Sequence, residues 1–135
     1  MTSSTIGSLL LASSDPARLR DWYVTAFEPK VSRTPGGPGM DILDFGGFYV
    51  MLDSRDDVGA ANPEPGRLIL NIDVTDARAV VGRIADLGGG WVAELDDRDG
   101  SLFATALDPD GNYVQLVQLS PKHLAEMTEV AEASR

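Results

Sequence analysis

Residues 102–118, Leu-Phe-Ala-Thr-Ala-Leu-Asp-Pro-Asp-Gly-Asn-Tyr-Val-Gln-Leu-Val-Gln, decide the fold. Asp108-Pro109-Asp110-Gly111 is a turn, since Asp hydrogen-bonds its own backbone, Pro presets φ and Gly accepts positive φ. The runs on either side, Leu102 to Leu107 and Tyr113 to Leu119, have the length and alternation of strands. The second opens with the pattern G-x-Y-V-x-L, Gly111 to Leu116, and the same pattern stands 64 residues earlier in Gly47-Phe48-Tyr49-Val50-Met51-Leu52. A second match precedes it: Leu9 to Arg18 (LLLASSDPAR) recurs in outline as Leu70 to Arg78 (LNIDVTDAR), with Asp15 and Asp76 offset by 61. Two matches in the same order, with offsets differing by three residues, define an internal repeat.

The first module, 5–58, opens with a strand from Ile6 to Ala12. Asp15-Pro16 then starts a helix, with Asp as N-cap and Pro at the first helical position. Leu19, Trp22, Tyr23 and Phe27 share one face of it, and Pro29 ends it. A Pro/Gly loop at residues 35–39 leads to Ile42–Phe45 and Phe48–Leu52, strands joined at Gly46-Gly47. The second module, 67–119, opens with a strand from Leu68 to Val74, followed by a helix capped by Asp76 and carrying Ala77, Val80, Val81, Ile84 and Leu87. Gly88-Gly89-Gly90 stops it. Trp91–Leu95, 102–107 and 113–119 are the remaining strands. The expected architecture is α+β, a βαβββ unit twice, with a linker at 59–66 around Asn62-Pro63-Glu64-Pro65. A helical tail at 120–135 carries the thin apolar stripe Leu124, Met127, Val130. The whole, 1–135, has the length of one domain.

Twenty-one acidic and 11 basic side chains leave a net charge of −10. This repels phosphate backbones and anionic membranes, so neither nucleic acid nor membrane is an expected partner. With no cysteine, disulfides, thiolate metal sites and cysteine nucleophiles are excluded. No basic region precedes Leu9–Ala12, so no signal peptide is expected, and the default location is the cytoplasm.

Strand alternation separates two faces. Leu68, Leu70, Ile72 and Val74, with Val114 and Leu116, form an aliphatic face for a helix; by the repeat, Val50 and Leu52 do the same. The opposite face collects Ile69, Asn71, Asp73, Tyr113, Gln115 and Val117, and in the first module Tyr49, Met51 and Asp53. Such a mixture of apolar body and fixed polar groups is the composition of a ligand surface, or of a face buried by another subunit.

The two βαβββ modules, the Asp-opened helices and above all the DPDGN turn with its following strand resemble the vicinal oxygen chelate superfamily, which comprises glyoxalases, extradiol dioxygenases, fosfomycin resistance enzymes and bleomycin resistance proteins. The resemblance implies a half-open, cup-shaped mixed sheet with helices outside, and a homodimer. It also implies four metal-ligand positions on the cup face, held in the enzymes by His, Glu or Gln. These fall on Ser8, Met51, Ile69 and Gln115. Hydroxyl, thioether, alkyl and amide groups offer a divalent ion almost nothing, and only Gln115 is a conceivable ligand. A shift of one residue turns the side chain to the other face.

No metal or other cofactor and no catalytic residue is therefore expected. The expected ligand contacts are Ser8, Leu10, Tyr49, Met51, Ile69, Asn71, Trp91, Tyr113 and Gln115. The aromatic and thioether groups would stack on a ligand, and Asn71 and Gln115 would orient it. The function expected from the resemblance is metal-free binding of an aromatic or cationic small molecule, as in antibiotic-sequestering resistance proteins. The alternatives are a divergent lyase, isomerase or dioxygenase, and a module whose face is filled by a partner or by the tail. Trp91 serves equally as a core or dimer contact. Asp53 and Asp73 have the parity to bind a cation with Gln115, though strand-end carboxylates are commonly solvated. His123, the single histidine, lies in the polar tail, and neither a Ser-His-Asp arrangement nor a phosphate-binding glycine loop is legible.

Overall fold

The computed structural model describes residues 3–134; Met1, Thr2 and Arg135, the extremities of the expected N-terminal segment and tail, lie outside the described residues. The chain forms two compact units, residues 3–63 with 109–111, and residues 64–108 with 112–134.

In the first unit β1 (Ser8–Ser13) leads to α1 (Pro16–Phe27), then β2 (Lys30–Arg33), β3 (Asp41–Phe45) and β4 (Phe48–Ser54). The strands form an open sheet in the order β1-β4-β3-β2, with β1 parallel to β4 and the other pairs antiparallel. Asp15 caps α1 by accepting from the Arg18 amide (3.3 Å), and Pro16 stands at its first turn. Glu28, in the left-handed region, closes the helix through its amide to the Val24 carbonyl (3.0 Å). Leu19, Trp22, Tyr23 and Ala26 are buried on α1, and Leu43, Val50 and Leu52 on the sheet beneath it. Gly46 and Gly47 both have positive φ, which a two-residue hairpin of this hand demands, and the Gly47 amide donates to Asp44 Oδ1 (2.7 Å).

The second unit repeats the plan with β5 (Leu70–Asp73), α2 (Ala77–Asp86), β6 (Gly90–Arg98), β7 (Ser101–Leu107) and β8 (Tyr113–Gln118), in the order β5-β8-β7-β6. Asp76 caps α2 through the Ala79 amide (3.1 Å), and Gln118 Oε1 accepts from Ala77 N (2.8 Å), tying the end of the last strand to the helix start. Ala77, Val80 and Ile84 are buried over Ala104, Ala106, Val114 and Leu116. α3 (Pro121–Ala133), capped by Ser120, follows β8 and has no buried residue; Leu124, Met127 and Val130 are all more than half exposed.

The repeat holds at the level of single residues. Leu10 faces Met51 across the β1–β4 pair, and Asn71 faces Gln115 across β5–β8. These are the positions that the offsets of 61 and 64 bring into correspondence.

Three expectations need correction. The strands open later than hydrophobicity implies: Ile6 and Leu68 precede β1 and β5, exposed at 84% and 65%, because each strand begins only where its parallel partner starts. β6 runs well beyond Leu95, to Arg98, with register irregularities between Trp91 and Asp96 that obscure its alternation. Val117 has the parity expected of it, opposite Asp73 and Phe103, yet is only 3% exposed. Among the described residues no helix is long and apolar enough to cross a membrane.

Candidate functional site

In each sheet the register defines rows of side chains on the face away from the helix. In the first, Leu10, Met51 and Ile42 form one row across β1, β4 and β3, and Ser8, Tyr49 and Asp44 form the next. Leu10 and Tyr49 are 59% and 43% exposed, large values for apolar bodies held on a rigid strand. Asp53 shares the face and pairs with Arg55 (3.5 Å), whose main partner is Asp57 (2.8 and 2.5 Å). That two-point bond holds the Asp57 carboxyl below the usual carboxylate range and raises the Arg55 guanidinium.

In the second sheet Asn71, Gln115 and Thr105 form the central row across β5, β8 and β7. Tyr113 and Leu107 lie to one side, with Ile69 just ahead of β5; Val117 and Phe103 lie to the other. The Arg98 guanidinium sits 4.8 Å over the Phe103 ring and is held by Asp96 (2.9 Å). Trp91 does not belong to this surface. It pairs with Ala106, whose side chain is buried on the α2 side, so the register sets the indole in the row of Leu70 and Val114. Thr105 and Phe103 were not singled out from the sequence, although the alternation of residues 102–107 around the buried Ala104 and Ala106 carries the signal.

The four positions at which the resemblance places metal ligands stand in equivalent registers in the two sheets. Ser8 stands two residues before the direct partner of Met51, and Ile69 two residues before that of Gln115. The side chains at these positions are one hydroxyl, one thioether, one alkyl group and one amide, a poor donor set for a divalent ion. Among the described residues no group of three or more His, Asp or Glu is arranged to hold a metal ion. The residues present do not fit such an ion.

A Ser-His-Asp grouping, not legible in the sequence, does occur. His123 Nδ1 is hydrogen-bonded to Ser101 Oγ, and its Nε2 lies 3.8 Å from Asp99 Oδ2. Ser101 is fully buried and also accepts the Ser120 amide (2.8 Å), so its hydroxyl has no route to a substrate. The grouping fastens the first turn of α3 to the β6–β7 turn, and His123 is not the free tail residue its position suggests. The DPDGN turn is similarly engaged in structure. Asp108 accepts the Asn112 amide and side chain (3.0 and 2.9 Å), and Asp110, nearly buried, accepts from Arg18 of α1 (3.1 Å).

Residues 8–117 match the family model of the glyoxalase-like domain. A search of curated proteins finds no significant sequence match. Among solved structures, the trypanothione-dependent glyoxalase I of Leishmania major superimposes with a TM-score of 0.75 at 20% identity, over 98% of this chain and 97% of that one. TioX from Micromonospora sp. ML1 gives 0.65 at 24% identity, over 85% and 98%. The hypothetical protein SA1046 from S. aureus gives 0.69 at 20%, over 88% and 100%. At these identities the likeness is one of fold. With the family model spanning both βαβββ units, the chain belongs to the glyoxalase-like domain family of the vicinal oxygen chelate superfamily.

Proposed function

We propose that this protein binds a small organic molecule on the helix-distal faces of its sheets, without a metal and without transforming it. One observation carries the proposal: at the positions where the resemblance places metal ligands, Ser8, Met51 and Ile69 supply no good donor for a divalent ion. What these faces offer instead is contact area and hydrogen bonding. In the first unit Leu10, Tyr49 and Met51 suit a flat or aromatic body; in the second, Asn71 and Gln115 suit polar groups, with Tyr113 beside them. The net charge of −10 adds long-range attraction for a cationic ligand, which raises its encounter rate more than its affinity. A homodimer in the cytoplasm goes with this reading by analogy with the superfamily, and light scattering tests the dimer.

The test is elemental analysis of protein purified without chelators, followed by a thermal-shift and calorimetric screen of aromatic and cationic natural products. The expected result is no stoichiometric nickel, zinc, iron or manganese, and at least one saturable ligand. At a concentration of 100 Kd such a ligand stabilises the fold by about 2.7 kcal/mol. Near-stoichiometric metal, or silence across the panel, overturns the proposal.

A further inference from the structure

We infer that the Asn71–Gln115–Thr105 row is a subsite for an uncharged carboxamide or lactam group on a flat small molecule. The inference rests on the small-molecule reading above and narrows it to one chemical class.

The sequence has five side-chain carboxamides, at Asn62, Asn71, Asn112, Gln115 and Gln118. The fold engages Asn112 with Asp108 (2.9 Å) and Gln118 with the start of α2 (2.8 Å). Asn71 and Gln115 are the pair that face each other directly across β5 and β8, and neither side chain is hydrogen-bonded to another described residue. Thr105, facing Gln115 from β7, is in the same position. Three unengaged groups thus stand side by side, about 4.8 Å from strand to strand. Each carboxamide carries an acceptor and two donors in one plane, and the hydroxyl supplies one of each. A ligand amide, with its own C=O and N–H, both accepts from and donates to such a row.

Charge decides against the obvious competitors. The row contains no ionised side chain, so a carboxylate or ammonium pressed onto it is desolvated without a counter-charge. Of the neighbouring rows, Tyr113 with Leu107 adds apolar surface, while Val117 is buried and the Phe103 ring carries the Arg98 guanidinium, the group that a carboxylate would use instead. Asp73, two residues from Asn71 on the same face, is the group that a cationic ligand would use instead. The corresponding row of the first sheet, Leu10–Met51–Ile42, has no hydrogen-bonding group of this kind and serves as an internal control.

Three probes of one shape separate these cases: benzamide, benzoate and benzylammonium, titrated into the intact protein and followed by 1H–15N spectra of the side-chain NH2 groups and by methyl spectra. Benzamide is expected to shift the Asn71 and Gln115 signals saturably, with a Kd about three-fold or more below those of both charged probes, the effect of a single hydrogen bond. Gln115→Leu and Thr105→Val, which remove hydrogen-bonding groups at little change in size, are expected to weaken benzamide by about three- to ten-fold each. Benzylammonium should be unaffected, and the backbone spectrum verifies the fold of each variant. Equal binding of the three probes, preferred binding of benzylammonium with loss on Asp73→Asn, or shifts confined to Leu10 and Met51 overturn the inference and leave the small-molecule reading standing. Shifts on neither sheet overturn both.

Discussion

The two sheets share strand order and pairing sense, and the register of all but their β2 and β6 edges, yet the central row of the helix-distal face is Leu10–Met51–Ile42 in one and Asn71–Gln115–Thr105 in the other. Their helix-facing rows diverge far less: Val50 and Leu52 correspond to Val114 and Leu116, all four buried. Packing against a helix admits only apolar groups of suitable volume, whereas a face without a helix leaves residue type to whatever meets it. One departure on the packed side shows what substitution there requires. Asp41 faces Leu52 where Ala104 faces Leu116, and its carboxylate, 6% exposed, is bound by Arg20 (3.3 Å) and Arg33 (2.7 Å).

The comparison breaks first on the packed side. Leu52→Ala and Leu116→Ala should each cost about 2–5 kcal/mol in urea unfolding. A cost under about 1 kcal/mol for either one would show that the two helix-facing rows are not equivalent. Asp41→Ala should cost about 1–3 kcal/mol by leaving two guanidinium groups without their shared acceptor. Ala104 has no such role, so a neutral result at Asp41 would remove the one asymmetry assigned to that face. His123→Ala should release α3, a difference between the units because no such helix follows β4 among the described residues of the first. A loss of about 1 kcal/mol should appear as roughly five-fold faster amide exchange confined to residues 121–133. On the helix-distal side, Met51→Gln and Gln115→Met, which exchange the characters of the two rows, should change stability by only about 0.5 kcal/mol, and a larger loss for either would mean that the row is structural. The smallest effect concerns Asp57. Its depressed titration implies stability that is present above its unfolded value and lost as pH falls through the folded one. The side chain is well exposed, so Arg55→Gln should move the Asp57 carboxyl midpoint upward by NMR while leaving the pH dependence of unfolding unchanged.

Much of the fold was legible because its signals are local. Asp15 and Asp76 cap helices as expected, and Gly46-Gly47 turns its hairpin. Of the site, Ser8, Leu10, Tyr49, Met51, Asn71, Tyr113 and Gln115 keep the parity expected from alternation. Trp91 did not, since the irregular pairing of β6 is invisible in a period of two. Leu68 was misplaced for another reason: an apolar residue adjoining a strand looks like part of it until pairing sets the end.

By itself, then, the chemistry of the chain determined the repeat, the two βαβββ plans and the absence of metal donors at Ser8, Met51 and Ile69, because caps, turns and side-chain types act within a few residues of themselves. The tertiary structure alone decided which polar groups are engaged. Gln118 is bound to α2, His123 to Ser101 and Asn112 to Asp108, whereas Asn71, Gln115 and Thr105 are left to face outward together. That division depends on which strands pair and in what register, and pairing joins residues more than 40 positions apart in the chain, as Asn71 and Gln115 are.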